Sequence, residues 1–284
     1  MINQRKDPWK LRKGPSEERL LSSCKRPESF LSLTRFFGRP LFLLALACLF
    51  SCTQVQHLAQ VDNRNYTLDE YTHPDVDSAV LLKIEPYRLQ MERIMGKKIG
   101  HADSRLYKAH PDGPLNRWFA DVMHDEAEIR SDRPVDFVVQ NYYGLRVEEI
   151  PKGEITLGMI YQLMPFENYL VMQDIPGTVV LKLCNLVAAN DGWPVSRGIS
   201  FEIVGGRADN IRIDDRPLDL EKTYRLATND YLANGGDQCD FLRDYEQINT
   251  GVLVRDLIID HIRGLTEDGE NVRELDAEPR IVKP

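Results

Sequence analysis

Apolar positions along the chain change period several times, and each change predicts an element. Between 77 and 96, Val80, Leu81, Ile84, Tyr87, Arg88, Met91, Ile94 and Met95 recur at i, i+3, i+4 and i+7, the spacing of one helical face. Asp77 is placed to cap its start, Gly96 to end it, and Pro86 to kink it. A second helix is predicted over 114–127, with Leu115, Trp118, Phe119, Val122 and Met123 on one stripe and Pro114 in the first turn. A short apolar run at 135–139 reads as a strand ending in Gln140-Asn141. Thr156 is placed to cap a short helix that stops at Met164-Pro165. Residues 169–173 read as a strand, Pro176-Gly177 as a turn, and Thr178 as the cap of a helix through Val187. Alternation at 199–203 and 210–213, with Gly205-Gly206 between, predicts two more strands. Residues 223–227 form another strand, 251–263 a closing helix, and the polar tail after Gly264 is expected to pack loosely. Helices and strands mix without strict βαβ alternation, which predicts an α+β layered domain over a doubly wound sheet.

Composition changes this picture at one end. The chain has 284 residues and a net charge of −8, which argues against a nucleic-acid polymer as partner. Yet residues 1–40 are rich in Lys and Arg, with Arg35 and Arg39 directly before the apolar run 40–51. That run is shorter than the ~20 residues a membrane-spanning helix needs, and it has the length of a signal-peptide core. It ends Leu49-Phe50-Ser51-Cys52, similar to a lipobox, where a small residue precedes the cysteine that takes lipid. The expected organisation is a signal peptide over 1–51, with a start codon assigned upstream of the true one, and a polar tether over 52–75. The folded domain then covers 76–284. The expected product is lipidated at Cys52 and anchored to the bacterial cell envelope, facing the periplasm or the surface. Cys184 and Cys239 lie in the folded part, where buried thiols are favoured over a disulfide.

Hydrolytic machinery is missing from the sequence. There is no G-x-S-x-G elbow and no H-E-x-x-H, and the six histidines show no ligand spacing. No Cys/His spacing suggests zinc. His124-Asp125-Glu126 reads as a solvated helix face. Two loops at strand ends carry more information. Asn141, Gly144 and Arg146 combine an amide, a flexible backbone point and a fixed cation, a set suited to an anionic ligand that forms hydrogen bonds. Gly235-Gly236-Asp237 offers close backbone approach and an acceptor for a sugar diol, with Tyr231 nearby as a π-face for a base. Taken separately, either loop also reads as an ordinary turn with a solvated charge.

Taken together, several segments resemble one family. Thr228-Asn229-Asp230-Tyr231-Leu232-Ala233-Asn234-Gly235-Gly236-Asp237 resembles the T-N-D-F/Y-L-A-x-G-G-D stretch of 5′-nucleotidase C-terminal domains. Lys222-Thr223-Tyr224-Arg225-Leu226-Ala227 resembles the strand before it. Asn141 to Arg146 is similar to the family's N-x-G-G-I/L-R loop, and Ile155-Thr156 through Pro165-Phe166-Glu167-Asn168 to its I-T-x-G…P-F-x-N segment. Pro86-Tyr87, Met91 and Ile99-Gly100 resemble the segment linking the family's two domains. The resemblance covers roughly 76–263.

It implies a substrate-binding domain for a nucleoside or nucleotide, working in nucleotide catabolism. Phe166 and Tyr231 would sandwich the base, Asp237 would hold the ribose hydroxyls, and Asn141 and Arg146 would meet the sugar and phosphate, with Gly144, Gly235 and Gly236 shaping the loops. The family's further phosphate-contacting Arg falls near His110 here, Leu115 stands for a glycine before Asn116, and Tyr143 replaces a loop glycine. Family catalysis uses two metals on a preceding metallophosphatase domain, whose D-x-H and G-N-H-D/E motifs do not occur in this sequence. The expectation is therefore no catalytic residue, no metal site and no cofactor in this chain, with divalent metals on a separately encoded metallophosphatase partner. The alternatives are a non-catalytic nucleoside- or nucleotide-binding lipoprotein, or a degenerate scaffold.

Overall fold

A computed structural model describes residues 78–274 and 278–284. The signal segment, the tether and Cys52 lie outside the described residues.

Helix α1 (Ser78–Met95) contains Pro86 and buries none of its residues. Strand β1 (Lys98–Ala102) pairs antiparallel with β5 (Gly153–Thr156), and β2 (Leu106–Tyr107) with β4 (Glu149–Ile150). Between them lie α2 (Pro114–Arg130) and β3 (Phe137–Val138). Then follow α3 (Leu157–Leu163), β6 (Tyr169–Pro176), α4 (Gly177–Ala189), β7 (Ile199–Val204), β8 (Arg207–Ile213) and β9 (Arg216–Pro217). The chain continues through β10 (Thr223–Asn229), the short α5 (Asp230–Ala233), β11 (Ile248–Leu253), α6 (Val254–Glu267) and β12 (Ile281–Val282).

The central sheet has the order β11-β6-β10-β3, with β10 antiparallel to β6 and parallel to β3. Side chains alternate across a strand, and here each face feeds its own core. Val138, Leu170, Met172 and Ala227 face Leu115, Phe119 and Met123 of α2, Ile160 and Leu163 of α3, and Ile258 and Ile262 of α6. Phe137, Ile175 and Leu226 face Val180, Leu183 and Val187 of α4, together with Ile199, Phe201 and Ile213 of a second sheet, β12-β7-β8-β9. Helices, central sheet, then helix with second sheet: this is the α+β layering that the mixed patterning predicts. Arg225, inside the resembling strand, is structural: its Nε and Nη2 donate to Asp174 at 2.8 and 3.0 Å, and it also pairs with Asp132.

Several expectations need correction. Thr178 does not cap α4: β6 runs straight into the helix, and Gly177 N donates to Lys222 O at 2.8 Å instead. Residues 251–253 belong to edge strand β11, so the closing helix starts at Val254 and runs on to Glu267. Among the described residues of the tail, 272 and 280–281 pack rather than lie loose. Val272 is buried and bridges Ala102, Ile281 pairs with Phe201, and Arg280 is buried against Asp121. His124 is buried rather than on a solvated face: Ser196, 72 residues away, supplies a hydroxyl 2.9 Å from its Nδ1. Cys184 and Cys239 are free and buried, and burial pushes both thiols up to about 12.

Candidate functional site

Because β3 and β10 run parallel, their C-terminal ends lie side by side and bring the two informative loops together. Three amide side chains, Asn229, Gln140 and Asn141, stitch the junction. Asn229, the last residue of β10, accepts from Leu232 N at 2.7 Å and so caps α5. Its own amide donates to Gln140 Oε1 at 2.7 Å and Asn141 Oδ1 at 3.1 Å. Gln140 Nε2 also donates to Asn141 Oδ1, at 3.1 Å. With its oxygen thus occupied, the Asn141 amide points its NH2 outward, to Asp237 Oδ2 at 2.8 Å. Gly144 is needed here because of this crowding, not for flexibility. A Cβ there would lie 2.8 Å from Asn141 Oδ1 and would overlap Gln140 Nε2.

The second loop is shaped by Gly235 and Gly236. Gly235 takes φ +88°, a left-handed turn open to glycine. Gly236 lies against the Tyr231 ring so closely that a Cβ would collide with Cε1 and Cζ. Asp237 then sits at φ +48°, rare for a residue with a side chain. Its carboxylate accepts from the Tyr231 hydroxyl at 2.9 Å, and that bond is the first reason the phenol's pKa lies above its ordinary value.

The third wall comes from the α3–β6 loop. Tyr169 N donates to Asp230 Oδ1 at 3.1 Å and Val254 N to Asn168 O at 2.8 Å, anchoring the segment that holds Phe166 and Asn168. The Arg146 guanidinium lies over the Phe166 ring, 5.0 Å from its centroid, a cation–π contact.

Asn141, Gly144, Arg146, Phe166, Tyr231 and Asp237 therefore line one cleft of about 310 Å³, joined by Tyr143 and Asn168. Gly235 and Gly236 border a second hollow that shares Tyr231 and Asn168 with the cleft. Asn168 and Tyr143 were not singled out as site residues from sequence. Asn168 carried a signal, the P-F-x-N spacing, and Tyr143 stands at the cleft mouth, 70% exposed. His110 does not line the cleft: it stacks on Tyr142 at 3.7 Å, and its Nδ1 is 2.9 Å from Asp191 O. Lys108 is buried, with its ammonium donating to Leu145 O at 3.0 Å and paired with Glu148 at 3.2 Å. Two other hollows, of about 360 and 710 Å³, adjoin Arg197 and Gly198, but neither is lined by Phe, Tyr or Trp. Among the described residues, no three His, Cys, Asp or Glu side chains come together as a metal cage.

The class these features define is an α+β domain with an aromatic-walled cleft at the ends of two parallel strands. The family model described as "5′-nucleotidase, C-terminal domain" matches residues 98–244, and the chain belongs to that family. The 5′-nucleotidase of Vibrio cholerae is 27% identical over 196 residues, which cover 66% of this chain and 34% of that protein. Protein UshA of Yersinia enterocolitica is 34% identical over 134 residues, covering 45% of this chain and 24% of that one. Among solved structures, a 5′-nucleotidase precursor from Thermus thermophilus matches with a TM-score of 0.58 and 27% identity, over 72% of this chain and 42% of its own. The chain thus spans about a third of the length of the Vibrio relative and less than half of the solved structure.

Proposed function

We propose that the cleft binds a nucleoside or nucleotide, with the base between Phe166 and Tyr231, the ribose hydroxyls on Asp237, and Arg146 with Asn141 toward the phosphate side. The observation that carries this reading is the meeting of the Phe166 and Tyr231 rings with one carboxylate and one arginine in a single cleft. Its volume of about 310 Å³ lies at the lower end of small-molecule pockets, about 300–1,000 Å³. We further propose that hydrolysis, where it occurs, uses a separately encoded metallophosphatase carrying the divalent metals, and that the chain is exported and lipid-anchored through Cys52. A second reading, capture of nucleosides without turnover, is favoured by the fate of His110 and Lys108. The Lys108 ammonium and the His110 ring are both engaged elsewhere, which leaves Arg146 as the one Lys or Arg side chain lining the cleft among the described residues.

Calorimetric titration of the purified chain with adenosine and AMP tests the binding reading. Tyr231→Ala is expected to weaken both about tenfold, since one stacked face contributes about 1–3 kcal/mol. Arg146→Ala is expected to weaken AMP more than adenosine. Folded wild-type chain that gives no heat with either ligand at millimolar concentration contradicts the reading. Release of phosphate from AMP by the chain alone, supplied with Mn²⁺ or Zn²⁺, would contradict the partner proposal.

A further inference from the structure

We infer that the Tyr231 hydroxyl is a positioning group that makes the cleft select ribonucleosides over their 2′-deoxy forms; this rests on the binding reading above. The hydroxyl is not a passive part of a stacking ring. It accepts from Asp237 N at 3.3 Å and donates to Asp237 Oδ1 at 2.9 Å. With one lone pair taken by the backbone N–H, its proton is directed to the carboxylate. The other oxygen, Oδ2, is held at 2.8 Å by Asn141 Nδ2, whose amide orientation is fixed by the donors on its Oδ1. Asp237 is thus tethered by Tyr231 of α5 and by Asn141 after β3, 6 and 96 residues away in sequence.

The tethers matter because the backbone does not hold this side chain by itself. Asp237 sits in the left-handed region just after two glycines, and its side chain is half exposed. A carboxylate there would otherwise sample several rotamers. Each carboxylate oxygen can accept more than one hydrogen bond. Once Tyr231 and Asn141 have each taken one position, each oxygen keeps acceptor capacity, and a vicinal cis-diol presents two adjacent donors that match the two oxygens. A 2′-deoxy sugar presents only one. Because the same tyrosine carries the ring of the proposed base stack, base and sugar recognition share one side chain. Gly236, flat against the Tyr231 ring, fixes the ring and therefore the hydroxyl.

Tyr231→Phe separates the two roles. It keeps the ring, removes the hydroxyl, and alters a side chain that is 44% exposed, so the fold is not at stake. Adenosine and 2′-deoxyadenosine are titrated into the full wild-type chain and the variant by calorimetry, with circular dichroism as the check on folding. Wild type is expected to prefer adenosine by about tenfold or more, the scale of a hydrogen bond to a charged group. Tyr231→Phe is expected to lose more affinity for adenosine than for 2′-deoxyadenosine, so that its preference for adenosine falls below about threefold. A variant that keeps the wild-type preference overturns the inference and leaves the binding reading standing. Equal loss for both ligands also overturns it, because the hydroxyl would then serve only to place the ring. A wild-type chain that binds neither nucleoside overturns the inference together with the reading beneath it.

Discussion

The Arg280 guanidinium grips Asp121 with both ends of its fork, Nη1 to Oδ1 at 2.9 Å and Nη2 to Oδ2 at 2.6 Å, with both side chains buried. Asp121 also accepts from Arg197 N at 2.9 Å, and Arg280 N donates to Asp112 at 2.7 Å. One carboxylate on α2 thereby ties down both the approach to β7 and the C-terminal segment. Removing one partner of a buried pair leaves the other charge uncompensated, at a cost of about 3–5 kcal/mol. Asp121→Ala is expected to lower the thermal midpoint on the order of 10 °C for a domain of this size. Thermal unfolding followed by circular dichroism measures it, and an unchanged midpoint would show the pair to be idle.

Acid stability should depend on a buried histidine. Burial, then the neighbouring Arg197, holds the pKa of His124 below its ordinary 6.5, against the raising effect of Glu128, Asp121 and Asp125. Burial acts in the same direction on His261. Well above pH 6.5 both imidazoles are neutral, folded or unfolded. As the pH falls through 6.5, the unfolded chain takes up these protons first, so stability is lost on the way down to the depressed values. The midpoint is expected to drop between pH 7 and pH 5, and to drop less in His124→Gln. Equal slopes in variant and wild type would contradict this.

Much of the central architecture could be read from sequence, and the exceptions have a common cause. The helix 114–127, the strand at 135–139 and the Thr156 cap follow from local periodicity and chemistry, and all three are present at about those positions. The residues of the cleft could be gathered because their motifs occur in a familiar order. What stayed illegible depends on distant partners. His124 reads as part of a solvated helix face until Ser196 arrives from 72 residues away, and nothing local shows that Asp121 meets Arg280 from 159 residues away. Gly251-Val252-Leu253 reads as helix because nothing local shows that β6 offers an edge to pair with. His110, near which the family's further phosphate-contacting Arg would fall, gives no local sign that Tyr142 and Asp191 hold its ring away from the cleft.

Gly236 offers a test of site geometry without touching a polar group. A Cβ there would collide with the Tyr231 ring and force it, at the surface, to shift from the position its hydroxyl bonds to Asp237 now hold. Gly236→Ala is expected to keep the thermal midpoint within a few degrees and to weaken adenosine binding about tenfold, a loss of ~1.4 kcal/mol. Unchanged affinity would mean that the ring orientation does not matter.

Export and lipidation form a separate proposal. Labelling of cells with a radioactive fatty acid is expected to mark the wild-type chain and to leave Cys52→Ala unmarked. Equal labelling of the two would contradict anchoring at Cys52.

The most direct measurement is the position of a bound nucleoside. A crystal structure of the chain grown with saturating adenosine is predicted to show the base between the Phe166 and Tyr231 rings. Both ribose hydroxyls should lie within hydrogen-bonding distance of the Asp237 carboxylate, about 2.5–3.0 Å. Adenosine bound elsewhere, or an empty cleft at saturating ligand, would contradict the account.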